Sequence, residues 1–220
     1  SRRRVAVPAT AAGSDVARIV EAVRAEIASA PLPQGYFTRL EGQFQAQEEA
    51  SRLIALLSVV SLALIFVVLY TRYRSTALAL IIMGNVPLAL IGSVAALWIA
   101  GQPFSVASAI GFITLTGIAT RNGILKISHY INLVLFEDER FGREMVVRGT
   151  LERLTPVLMT ALAAGIALLP LMIGADEPGK EILNPVAITI FGGLVTATLL
   201  DAFLTPVLFL LSGRNPLERL

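Results

Sequence analysis

Charged residues divide this chain into long apolar stretches. Nineteen uncharged residues separate Arg52 from Arg72, and 46 separate Arg74 from Arg121. Another 22 lie between Arg153 and Asp176, and 19 between Glu181 and Asp201. A helix needs about 20 apolar residues to cross the hydrocarbon core of a bilayer. The 46-residue run is long enough for two crossings, and Gly101-Gln102-Pro103 near its middle is a breaker. The pattern predicts five transmembrane helices, at about 52–71, 75–99, 105–134, 155–174 and 185–211. Thr155-Pro156 and Asn184-Pro185 read as N-caps followed by proline at the first helical position.

The first 50 residues differ in kind. Arg4 to Val7 reads as the end of a strand, and Tyr36 to Leu40 as a second strand after the turn at Pro31-Leu32-Pro33-Gln34-Gly35. Between them, Asp15 to Ser29 reads as an amphipathic helix with Val16, Ile19, Val23 and Ile27 on one face. Such a βαβ-like fragment is too small to bury a core alone. It starts mid-strand without a signal peptide, so it is expected to be the tail of an extracytoplasmic domain of a longer chain. The expected fold class is an all-α polytopic membrane bundle with an N-terminal α+β fragment. The expected division is 1–50 for that fragment, 51–213 for the transmembrane domain and 214–220 for a tail. Residues 137–153 read as a short, solvated surface helix, with Glu139–Arg143 and Glu144–Arg148 as four-residue ion pairs.

Composition agrees with the pattern. Hydrophobic residues make up 55% of the 220 and charged residues 15%, against roughly 25% for a soluble domain. Mean hydropathy is +0.73. The absence of cysteine excludes a disulfide scaffold, and one histidine does not make a zinc site. The net charge of +2 is too small to suggest a nucleic-acid surface. There is no Walker-type loop, H-E-x-x-H or G-x-S-x-G, so the chain offers no support for ATP hydrolysis, metal-dependent hydrolysis or serine hydrolysis. No cofactor is expected.

Lys and Arg set the orientation. Arg72, Arg74, Arg140, Arg143, Arg148, Arg153, Arg214 and Arg219 fall on one side, and the short loops of the other side carry only Lys180. The first side is expected to be cytoplasmic, with the C-terminus there and the N-terminal segment outside.

Ionisable residues inside spans are costly and point to function. Arg121 lies 16 residues into the third span, about 24 Å from its outer end at 1.5 Å per residue. Thr114, Gly117 and Ser128 share its face. A buried guanidinium needs a carboxylate partner. Asp201, flanked by Thr198 and Thr205, reads either as that partner or as an interfacial anchor of the helix end. Lys126 is placed to snorkel towards the cytoplasm, and His129 reads as a hydrogen-bonded packing residue. Gly192-Gly193 reads as a site of close helix contact.

The third and fourth spans contain Gly111-Phe-Ile-Thr-Leu-Thr-Gly-Ile-Ala-Thr-Arg-Asn-Gly-Ile-Leu125 and Arg153-Leu-Thr-Pro-Val-Leu-Met-Thr160. These closely resemble the C-terminal half of resistance–nodulation–division (RND) efflux permeases. Pro178-Gly-Lys-Glu-Ile-Leu-Asn-Pro-Val186 and Leu200-Asp-Ala-Phe-Leu-Thr-Pro206 look like the heavy-metal efflux branch, and Leu40-Glu-Gly-Gln-Phe-Gln-Ala-Gln47 resembles the family's exit from its periplasmic porter domain. The five spans would then be helices 8–12 of twelve.

The resemblance implies a proton-driven antiporter of the bacterial inner membrane that exports metal cations. It also implies a homotrimer working with a periplasmic adaptor and an outer-membrane channel. A multidrug permease and a protein-export-assisting relative are the alternatives. In the family, acids on the fourth helix couple to a basic residue on the tenth and polar residues on the eleventh. By motif match those positions are Arg121, Arg153 and Thr160, with Thr114, Asn122, Lys126 and Asp201 as further relay or helix-packing candidates. Copper/silver members carry an acid where Thr120-Arg121-Asn122 stands, which is a departure from that sub-branch. The four methionines, Met83, Met145, Met159 and Met172, are not clustered.

Overall fold

A computed structural model of the chain describes residues 16–29, 43–173 and 180–213. Six helices follow one another: α1 (Val16–Ser29), α2 (Gln43–Tyr73), α3 (Thr76–Ile99), α4 (Val106–Phe136), α5 (Arg143–Met172) and α6 (Lys180–Ser212). Contacts divide the chain into residues 1–53 and 54–220.

In the first unit the expected α+β fragment is corrected: among the described residues there is helix and no strand. The two expected strands, 4–7 and 36–40, lie outside the described residues. The helix expected at 15–29 forms, but Ile19 and Val23 on its apolar face are exposed. The helix of the first expected span starts earlier than residue 52, so α2 begins at Gln43. Arg24 pairs with Glu48 at 3.1 Å, both exposed.

In the second unit the breaks fall where local chemistry puts them. Arg74, at φ 47°, ends α2, and Ser75 caps α3 by accepting from the Leu78 N–H. After α3, Gly101 takes φ 65°, a conformation that suits glycine. Ser105 then opens α4 with a capping box, accepting from Ser108 N–H at 3.2 Å while Ser108 Oγ accepts from Ser105 N–H at 2.8 Å.

Two boundaries differ from expectation. Residues 143–153 are not a separate surface helix, because α5 runs unbroken from Arg143 through Pro156 and Pro170 to Met172. Pro185 likewise lies inside α6. Neither proline starts a helix. Proline inside a helix removes one N–H, a loss that neighbouring groups can offset in membrane helices. Asn184 is not an N-cap. Its side-chain amide donates to Leu171 O and Met172 O, at 3.1 and 3.0 Å, covering carbonyls at the end of α5.

Helix α6 packs against α3, α4 and α5, and α4 also packs against α3 and α5. The α3–α6 contact is the most intimate. A Cβ added at Gly92 would collide with Thr196, and one at Gly193 with Leu115 and Ser93. Small residues let membrane helices approach closely, and Gly192-Gly193 meets α3 at Gly92, Ser93 and Ala96 and α4 at Leu115. One apolar cluster joins Leu69, Leu78, Ile82, Ile127, Tyr130 and Phe209. A second, of smaller side chains, joins Ala89, Leu115, Ala119, Leu194 and Ala197.

The outer faces are apolar too: Val59, Val68, Ile91, Trp98, Leu162, Ile166 and Phe203 are all exposed. Four helical segments are long and apolar enough to cross a membrane: Glu48–Tyr73, Thr76–Ile99, Arg143–Met172 and Ile182–Ser212. Helix α4 is just as long, at 31 residues, but Arg121, Lys126 and His129 interrupt its apolar run.

Candidate functional site

Helices α4 and α5 form a small cleft. Arg121, Asn122, Leu125 and Lys126 line it from α4, and Arg153, Pro156, Val157 and Thr160 from α5. The spacing explains the convergence. Arg121, Leu125 and the neighbouring Asn122 and Lys126 recur at three to four residues, and so do Arg153, Val157 and Thr160. Five residues singled out from the sequence therefore meet at one place.

Arg121 is exposed, Arg153 half-buried, and Asn122 buried. No carboxylate lies within ion-pair distance of either arginine among the described residues. The Arg153 Nε is shut off from solvent and has no acceptor among those residues. An unpaired buried donor is costly, so this edge of the cleft is electrostatically incomplete. Thr160 Oγ1 donates to Val157 O at 2.9 Å and keeps its acceptor capacity.

Asp201 and Lys126 behave differently from expectation. Asp201 is only 4% exposed, so it is not an interfacial anchor. Its partner is Lys126, with Nζ 2.5 Å from Asp201 Oδ2 and donating to the Asp201 backbone O at 2.8 Å. Lys126 does not snorkel, because Asp201 draws its ammonium inwards. Asn85 Nδ2 donates to Asp201 Oδ1 at 3.1 Å. Thr205 Oγ1 lies 2.5 Å from the same oxygen and 3.2 Å from Asn85 Oδ1. The network ties α3, α4 and α6 together. Asn85 is not among the residues expected from the sequence, although an amide ten residues inside an apolar span is a usable signal.

The remaining candidates lie apart. Thr114 is exposed on α4, outside the cleft, and donates to Ile110 O at 3.0 Å. Ser128, expected on the Arg121 face, bonds the Tyr73 hydroxyl at 2.7 Å. His129 Nε2 meets Glu152 Oε2 at 2.7 Å, as a hydrogen-bonded residue should. Arg148 pairs with Glu137 at 2.7 Å, with Glu152 at 2.8 Å and with Glu139. The expected Glu144–Arg148 pair is thus replaced, because residues 137–142 form a loop that brings Glu137 and Glu139 to Arg148.

The profile of the AcrB/AcrD/AcrF family matches residues 1–213. This chain belongs to that family. It is 39% identical over 208 residues to the nickel and cobalt resistance protein CnrA of Cupriavidus metallidurans, covering 94% of this chain and 19% of that protein. It is 35% identical over 216 residues to the cobalt-zinc-cadmium resistance protein CzcA of the same organism, covering 97% of this chain and 20% of that protein. The crystal structure of a heavy metal efflux pump superposes with a TM-score of 0.78 at 35% identity, covering 92% of this chain and 20% of the pump. The RND resemblance read from the motifs is thereby shown. The chain spans about one fifth of the length of these relatives.

Proposed function

We propose that this AcrB/AcrD/AcrF-family chain is the C-terminal membrane portion of an inner-membrane permease that exports heavy-metal cations in exchange for protons. The permease works as a homotrimer with a periplasmic adaptor and an outer-membrane channel. The relatives' names, which specify nickel, cobalt, zinc and cadmium, support the cargo class. The observation that carries the mechanism is the α4–α5 cleft, where Arg121, Arg153 and Thr160 converge without a carboxylate among the described residues.

The cleft acts as the cationic half of a charge switch. Carboxylates from the rest of the permease pair with Arg121 and Arg153 when ionised. Protonating those carboxylates cancels the attraction, and the guanidinium groups must find other acceptors. Arginine does not release a proton at physiological pH, so Arg121 and Arg153 are counter-ions and the proton travels on the acids. The helices then repack, which changes the state of the porter domain. Thr160 offers a hydroxyl that can accept or donate at the cleft edge during the exchange.

The test is Arg121→Ala in the full-length permease, read as growth on a panel of nickel, cobalt, zinc and cadmium salts. Loss of resistance at unchanged protein abundance supports the relay. Unchanged resistance refutes it.

A further inference from the structure

Lys126 is among the residues that line the relay cleft, yet its ammonium is engaged by Asp201. It is held 2.5 Å from Asp201 Oδ2 and 2.8 Å from the Asp201 backbone O, with the two side chains 4% and 5% exposed. Asp201 is itself held by Asn85 from α3 and Thr205 from α6. The cleft is therefore lined by three basic residues, of which Lys126 is paired while Arg121 and Arg153 have no carboxylate within ion-pair distance among the described residues.

We propose that Asp201 is a positioning residue for the relay: by drawing the Lys126 ammonium into the α3–α4–α6 core, it sets the positive charge that the cleft presents to the relay carboxylates. This rests on the reading of the cleft as a relay. A third cation in the cleft would favour the ionised form of those carboxylates and lower the pH at which they take up protons. The groups around the pair are few. Helix α3 contributes Asn85 and no titratable side chain. Helix α4 contributes Lys126 and Tyr130, which lies within electrostatic reach of Asp201. Helix α5 contributes Arg153 across the cleft, and α2 contributes Tyr73, bonded to Ser128 and Ile124 O. Within α6, Thr205 faces the carboxylate. Asp201 is the anion in contact with the ammonium; the next carboxylate along α5, Glu152, is held by His129 of α4 and by Arg148.

The experiment measures nickel-driven proton counterflow against pH in proteoliposomes of the full-length permease. In Asp201→Asn the freed ammonium adds to the cleft, and the protonation limb of the profile moves to lower pH by about one unit. Adding Lys126→Met to that variant removes the extra charge and returns the limb to its wild-type position. Asp201→Glu, which keeps the pair, also retains the wild-type limb. A purely structural pair lowers protein abundance without moving the limb. An unshifted limb in Asp201→Asn, or an equal shift in the double variant, overturns the proposal. If Asp201→Asn does not accumulate, Asp201→Ser, which also frees the ammonium, is measured in its place: a limb moved to lower pH that Lys126→Met restores supports the proposal, and an unshifted one overturns it. Arg121→Ala, run beside them, separates the two layers. Wild-type flux there removes the relay reading and this inference with it. Loss of flux there, with an unshifted Asp201→Asn, removes the positioning role only.

Discussion

Lys126 on α4 and Asp201 on α6 form an ion pair at 2.5 Å in the interior of the bundle, with Asn85 and Thr205 satisfying the other carboxylate oxygen. Taking two charges out of solvent is costly, and their attraction to each other offsets that cost. Breaking one side leaves an uncompensated charge. Lys126→Met or Asp201→Ala is expected to destabilise the protein by about 3–5 kcal/mol, with the neutral double variant much less affected. Thermal unfolding in detergent of the full-length protein and its variants measures this. Equal losses for single and double variants would show that the pair contributes no coupling.

The α3–α6 contact depends on absent side chains. Gly92 faces Thr196, and Gly193 faces Leu115 and Ser93, with no room for a Cβ. Gly92→Leu and Gly193→Leu should each separate the two helices and sharply reduce folded protein in the membrane. Gly84→Ala, at a position open to space, should not. Quantitative immunoblotting of membranes distinguishes them, and normal levels of Gly193→Leu would refute the close packing.

Asn184 joins the end of α5 to α6 through two hydrogen bonds to Leu171 O and Met172 O, while being 2% exposed itself. Removing the amide takes the donor from two part-buried carbonyls. Asn184→Ala should cost about 1–3 kcal/mol of stability. Asn184→Asp should be no better, since a carboxylate cannot donate to a carbonyl. Chemical denaturation of the two variants measures both effects.

The Arg148 network is a contrasting case. It gathers Glu137, Glu139 and Glu152, but its side chains are solvent-exposed to a large degree. Exposed ion pairs are screened by salt and contribute little. Arg148→Ala should leave unfolding temperature nearly unchanged at physiological ionic strength. A large loss that persists in high salt would contradict this.

These cases show what the sequence made legible. The order of the long helices α2 to α6 followed from the spacing of charges, because charge in hydrocarbon is penalised strongly enough to dominate local preference. The break at Gly101 and the close contact at Gly192-Gly193 were legible for equally local reasons. Pro156 and Pro185 read as helix starts but lie inside α5 and α6, because proline at a first turn and proline inside a membrane helix look alike in sequence. The difference lies in neighbouring groups such as Asn184. At the site, motif order indicated Arg121, Arg153 and Thr160, and three- to four-residue spacing places them on facing sides of α4 and α5. The choice of Lys126 rather than Arg121 as the Asp201 partner was not legible. It depends on how α4 is rotated against α6, and α3 contributes to that through Asn85.

The central claim is that Arg121 and Arg153 supply the cationic half of a proton relay. Its most direct test is metal-driven proton counterflow in proteoliposomes of the full-length permease, comparing wild type with Arg121→Ala and Arg121→Lys at equal trimer abundance. The account predicts loss of coupled flux in Arg121→Ala and partial retention in Arg121→Lys. Wild-type flux in Arg121→Ala would contradict it.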